Sequence, residues 1–201
     1  MNLFKEINNK NLKAIFFSLD MGYGIILKCD IIHLLKKLTK KEYLFLKEKN
    51  IVIGKKYIYY KVLIEKRHKD ERWILSNLYF NYKCTNTIPQ NNVFTNANNY
   101  DERQLKLIGY IKIGKYAIQL EFLEIFLRNI NINASKVICF TYIHFLKYDL
   151  NFNILKEILN FLGYVKVAGT NLVSYWGKNK NLHIRKNYDS NSPFYILKKL
   201  Q

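Results

Sequence analysis

The chain has 201 residues, 49% of them hydrophobic, with 33 Lys+Arg against 15 Asp+Glu and a formal net charge of +18. That length holds one medium domain or two small ones with a real core. A charge surplus of this size strains a compact fold by self-repulsion unless a polyanion cancels it. Cations interleaved with 16 Tyr and 13 Phe suit nucleic acid better than a membrane surface, which would favour one basic amphipathic stripe. No apolar run reaches the roughly 18 residues of a spanning helix, and Cys29, Cys84 and Cys139 are spaced for neither disulfides nor metal. A reducing compartment is expected. The start, Met1-Asn-Leu-Phe-Lys-Glu6, lacks the marks of a secretory or transit peptide, so an organellar protein of this kind would be made inside its organelle. Lys, Asn, Ile and Tyr, abundant here, share A/T-rich codons, so part of the surplus charge reflects the gene.

Residues 1–66 are expected to form an N-terminal α+β lobe. Leu12–Leu19 and Gly24–Leu27 are apolar runs read as strands or a buried turn. Asp30–Leu38 is predicted helical with Asp30 as N-cap. Thr39-Lys-Lys-Glu42 has the form of a capping box for a helix over Lys40–Lys49. Ile51–Ile53, Gly54–Lys56 and Tyr57–Ile64 read as a hairpin. The lobe thus ends as helix, turn and hairpin.

Residues 67–100 are predicted to connect. The charge run at 66–72 reads as a solvated helix face, and Trp73–Tyr82 as packed aromatic chain. Lys83–Tyr100, with Pro89 and many Asn, is the best candidate for a loop that orders on binding.

Residues 101–201 form the third segment. Leu105–Ile113 fits a strand or a helix start, and Ile118–Ile130 an amphipathic helix. Ser135–Tyr148 is apolar and aromatic; helix is favoured because it would support the next helix and its hairpin. Asn153–Leu162 is predicted helical, with Leu150, Ile154, Leu155, Ile158, Leu159 and Leu162 on one face and Asn153, Lys156, Glu157 and Asn160 on the other. Gly163 stops it in the left-handed region. Val165 and Val167 alternate with Lys166 as a half-buried strand, opening a hairpin that runs on to Arg185. Phe194–Leu197 is a last short strand.

Catalytic patterns are missing. His33, His68, His144 and His183 are isolated, and His144 reads as a core histidine. Glu121 and Glu124 share a helix and fit a surface or salt-bridged pair. Walker, GxGxxG, GxSxG, HExxH and CxxC patterns do not occur. No enzyme activity, cofactor, metal or small-molecule substrate is expected. The candidate binding residues are Lys136, Lys147, Asn153, Lys156, Tyr164, Lys166, Lys178, Lys180, Arg185 and Lys186, interleaved with Tyr148, Tyr175 and Trp176. Cations would hold phosphates and aromatic rings would stack on unpaired bases. For Trp176 a place in the core is favoured.

Gly163-Tyr-Val-Lys-Val-Ala-Gly169 resembles the S-four RNA-binding motif, in which two helices lead through Gly-His-(Val/Ile)-x-Val-Asn-Gly into a hairpin. Gly163, Val165, Val167 and Gly169 match; Tyr164 replaces the His and Ala168 the Asn. Ser174-Tyr175, Ile154-Leu-Lys-Glu-Ile158, Val137–Leu146 and Ser192-Pro-Phe-Tyr-Ile-Leu197 resemble its next strand, second helix, first helix and late segment. The Arg-Leu-Asp opening of the first helix and the Ser-Arg before the second are absent. The resemblance implies an α+β fold: a helical scaffold carrying an S-four-like two-helix plus β-hairpin RNA-binding module. It also implies a structural constituent of an organellar small ribosomal subunit in the mitochondrial matrix, bound to ribosomal RNA and neighbouring ribosomal proteins, away from any membrane. Two other resemblances use the same residues. Leu127-Arg-Asn129 with Ile158–Val165 resembles the eighth small-subunit ribosomal protein. Ile118–Ile130, Ser135–Tyr148 and Asn153–Leu162, with 163–185 as wing, resemble a winged helix, implying a DNA-binding protein such as a plasmid or phage replication initiator. The earlier helix–turn–hairpin would then make tandem winged helices.

Overall fold

The computed structural model describes residues 9–65, 67, 69–81, 88–89, 93–129, 137–141, 151–169 and 173–178. The fold is α+β, built from helices and small antiparallel sheets. Two compact units divide the chain, residues 1–134 and 135–201.

The first unit begins with α1 (Lys10–Met21), β1 (Ile25–Leu27), α2 (Ile32–Leu35), α3 (Lys40–Glu48), β2 (Ile51–Ile53) and β3 (Tyr57–Tyr60). The Leu12–Leu19 run, expected as a strand or part of a buried turn, is instead α1. Leu12, Ile15, Phe16 and Leu19 recur at helical spacing and are its buried stripe. The Asn9 side chain caps it, accepting the Asn11 N–H at 2.7 Å and the Leu12 N–H at 3.3 Å. Asp30 does not cap α2, whose N-cap is Ile31 with no side-chain bond. Asp30 lies in the preceding turn, its N–H donating to the Leu27 carbonyl. The capping box at Thr39 is formed in both directions. Leu12, Ile15, Phe16, Leu19, Ile31, Leu35, Leu46, Ile51 and Ile58 share one core.

A 3-10 turn at Lys61–Leu63 leads to α4 (Lys69–Phe80), β4 (Phe94–Asn96), α5 (Glu102–Leu107), β5 (Tyr110–Ile113), β6 (Tyr116–Gln119) and α6 (Leu120–Asn129). Trp73, Ala97, Leu105, Ile108, Tyr110 and Ala117 form a second core. The 105–113 stretch is both a helix end and a strand. Ile118 belongs to β6, so α6 starts two residues later than its apolar run. The 67–100 segment is no bare connection, since α4 and β4 lie within it.

The second unit contains β7 (Val137–Thr141), α7 (Phe152–Phe161), β8 (Tyr164–Gly169) and β9 (Val173–Lys178). The helix favoured over 135–148 is corrected at its start: Val137-Ile-Cys-Phe-Thr141 is a strand, paired from Val137↔Gly177 to Thr141↔Val173. β-branched and aromatic residues fit a pleated ladder better than a helix. The Asn151 side chain caps α7 through the Ile154 N–H at 2.9 Å. Gly163 ends it at φ 82°, as its position demands. Val165 and Val167 are not half-buried on one face; they are 36% and 57% exposed. Tyr164 takes the inward place, and a register shift between Lys166 and Ala168 breaks the alternation. Residues 142–150 and 179–201, including the expected last strand, lie outside the described residues.

Among the described residues one order of elements recurs three times, a strand, a helix and then a hairpin, with the helix doubled as α2 and α3 in the first repeat. The sheets are ordered β1-β3-β2, β4-β6-β5 and β7-β9-β8, all antiparallel. In each, the last strand is central and the first pairs with it across the intervening helix.

Candidate nucleic-acid interface

The first repeat places two helices around a four-residue turn, Lys36-Lys-Leu-Thr39. Residues 36–49 hold Lys36, Lys37, Lys40, Lys41, Lys47 and Lys49 against only Glu42 and Glu48. All of these lysines except the half-buried Lys49 are exposed. Glu42 is tied to the cap: its carboxylate receives the Thr39 N–H at 2.6 Å and the Asn9 side-chain amide. The Thr39 backbone bond holds that carboxyl below its ordinary value. Tyr43 donates its hydroxyl to the Leu35 carbonyl at 3.1 Å, pinning α3 to α2. Lys40, Tyr43, Leu44 and Lys47 share the outer face of α3. A fixed helix pair with a nearly all-cationic rim is suited to a polyanion.

The turn of the β2–β3 hairpin is engaged elsewhere. The Glu124 side chain on α6 is buried, and its carboxylate receives the backbone N–H groups of Lys55, Lys56 at 3.0 Å and Tyr57 at 2.8 Å. Glu124 is therefore neither a surface residue nor half of a carboxylate pair with the exposed Glu121. Gly54 lets the carboxylate approach, since a Cβ there would collide with it. Burial pushes the Lys56 amine down to about 8, against the opposing pull of Cys29 and Glu124.

Charges of the second repeat are largely paired within it. Lys106 bonds Glu102 at 2.9 Å and Arg103 bonds Asp101 at 3.1 Å. Arg72 donates to the carbonyls of Leu107, Arg67 and Glu65. Lys69 is buried, donating to the Pro89 carbonyl at 3.0 Å and lying 4.7 Å from the centre of the Tyr110 ring. Gln104 bonds Asn77 at 2.5 Å and locks α5 to α4. The charge run at 66–72 is thus only partly a solvated face.

In the third repeat, Asn153, Lys156 and Asn160 are exposed on one face of α7. Lys166 is exposed on β8 and lies 4.8 Å from the centre of the Phe152 ring. The backbone of Lys178 pairs with Tyr164. Tyr164 is corrected as a contact residue: it is 1% exposed, so its ring cannot stack on a base. Its hydroxyl has no hydrogen-bond partner among the described residues, and burial pushes its pKa up. Trp176 is buried, as favoured. Lys136, Lys147, Lys180, Arg185 and Lys186 lie outside the described residues.

The 36–49 cluster is absent from the candidate residues read from sequence, because it matches no motif. Its signal is local: lysine density around a capping box. Among the described residues no three His, Cys, Asp or Glu side chains are grouped to hold a metal, and no helix is long and apolar enough to cross a membrane. No protein-family model, curated protein or solved structure matches the chain.

Proposed function

We propose that the protein is a non-enzymatic, duplex-DNA-binding protein built from three winged-helix-type units in tandem. The observation that carries this reading is the thrice-repeated element order with the last strand central in each sheet. In helix-turn-helix proteins the second helix of such a pair enters the major groove while the first crosses the backbone. On that reading α3, with Lys40, Lys41 and Lys47, is the principal contact, and Lys36 and Lys37 hold flanking phosphates. Helix α7 supplies a second contact through Asn153, Lys156 and Asn160; asparagine suits the paired donor and acceptor of adenine. The second repeat, its charges paired internally, acts as spacer. A replication initiator or another sequence-specific regulator has this character.

The S-four reading, with its organellar ribosome and ribosomal RNA, is the second proposal. It is favoured by the α7–Gly163–β8 passage with Lys156 and Lys166 exposed. It is weakened by β7, a strand where the motif has its first helix. Competition between a duplex DNA and a folded RNA of equal phosphate count, at matched salt, separates the two. Preference for the duplex, lost when Lys36, Lys37, Lys40 and Lys41 are changed to Ala, supports the first reading. Preference for folded RNA, unaffected by those changes, overturns it.

A further inference from the structure

We propose that α4 docks against α4 of a second copy of this chain, antiparallel about a twofold axis. Helix α4 buries Lys69, Trp73, Ser76 and Asn77 on one side. On the other it presents Ile74, Leu75, Leu78 and Tyr79 at 57%, 63%, 71% and 82% exposure. Scattered apolar residues on a surface are ordinary; four large ones adjoining on one helix face mark a contact surface.

Charge selects the occupant. In a chain of net charge +18, most surfaces repel another copy. This face does not: the exposed charges of α4 are Asp70 and Glu71, its one lysine is buried, and Arg72 is bound to three carbonyls. It is also the wrong surface for a polyanion, and an acidic protein would be drawn to the lysine-rich faces instead. A second copy meets no such penalty here.

The pattern is also self-complementary. Ile74 and Tyr79, and Leu75 and Leu78, are placed symmetrically about the Ser76–Asn77 midpoint. A twofold antiparallel contact therefore sets Ile74 against Tyr79 and Leu75 against Leu78 of the other copy, twice. A parallel contact would also match apolar residues, but it would bring both acidic ends together and align the two helix dipoles. The antiparallel contact instead brings Asp70 and Glu71 towards the other copy's Arg103, which lies 4.8 Å from the Phe80 ring centre at the C-terminal end of α4.

The test is sedimentation equilibrium of the full chain, in salt high enough to strip nucleic acid. The expected result is a reversible dimer with a Kd on the order of micromolar, as suits a contact of one short helix pair. Leu75→Glu and Leu78→Lys should each weaken dimerisation at least about tenfold. An equimolar mixture of the two should re-associate as a heterodimer, because the introduced glutamate of one chain faces the introduced lysine of the other. Both positions are exposed, and circular dichroism verifies the fold; Leu75→Ser with Leu78→Ser replaces any variant that misfolds. A wild-type monomer at every concentration overturns the proposal. So does a dimer indifferent to Leu75→Glu, or a mixture that stays monomeric.

Discussion

The Glu124 carboxylate holds the backbone N–H of Tyr57 at 2.8 Å, joining α6 to the start of β3 within the first unit. Lys55 and Lys56 donate to the same carboxylate, so one buried side chain accepts three successive N–H groups of the hairpin turn. In a winged-helix protein that turn would be the wing's tip. Here it is an internal anchor, which leaves α3 as the exposed part of the repeat.

Glu124→Ala should destabilise the first unit by about 2–4 kcal/mol, since three N–H donors, that of Tyr57 buried and those of Lys55 and Lys56 partly buried, lose a charged acceptor. Urea unfolding followed by fluorescence measures it. Gly54→Ala should produce part of the same loss by displacing the carboxylate. A change below about 0.5 kcal/mol in Glu124→Ala would mean the turn satisfies itself with water.

Stability should vary with pH through Lys56. Below about 8 its amine is protonated in both folded and unfolded chains. Between about 8 and 10.5 the folded chain releases that proton while the unfolded chain keeps it, so this group makes stability rise. Burial pushes Tyr57 and Tyr60 the other way, above their ordinary range. The unfolded chain then loses those protons first, and stability falls above about pH 10. Lys56→Met should remove the rise and keep the fall, as read from urea midpoints across that range.

Duplex affinity should carry the salt signature of the 36–49 cluster. Changing Lys36, Lys37, Lys40 and Lys41 to Ala should lower the slope of log K against log salt by about 3 to 4, if each holds one phosphate. Changing Lys106 and Arg103 should alter it far less, because both are paired within α5 and its cap. Fluorescence anisotropy at several salt concentrations gives both numbers.

Thr39→Ala should cost about 1 kcal/mol through loss of the capping box, and Thr39→Asn much less. Because Thr39 ends the turn before α3, duplex affinity should fall with the cap. Unchanged affinity in a measurably less stable Thr39→Ala protein would separate α3 from the interface.

Tyr164→Phe should leave stability unchanged or raise it by up to about 1 kcal/mol, since the buried hydroxyl has no partner among the described residues. A loss beyond about 1 kcal/mol would show a bonded hydroxyl.

Local signals carry the fold wherever chemistry is short-range. Thr39 with Glu42, Gly163 after α7, and the hairpin around Gly54 are legible because caps and turns are set by a few adjacent residues. Where tertiary pairing decides, the sequence is ambiguous. Val137–Thr141 becomes a strand because β9, more than thirty residues later, offers it a ladder. Tyr164 turns inward in the opposite phase to Val165 and Val167, and the register shift that follows, between Lys166 and Ala168, then breaks the period of two. Reading Leu12–Leu19 as a strand or buried turn is a plain error of period, for its spacing is helical. The lysines at 36–49 are visible throughout, but only their place on a fixed helix pair makes them a surface.

In every sheet the central strand is the last to be made. As the chain leaves the ribosome, β1 and β2 have nothing to pair with until β3 emerges, and the same holds for β4 with β5 and β7 with β8. Each repeat should therefore close abruptly, when its final few residues clear the exit, and a chain cut just before β3, β6 or β9 should hold two unsatisfied strands and clump.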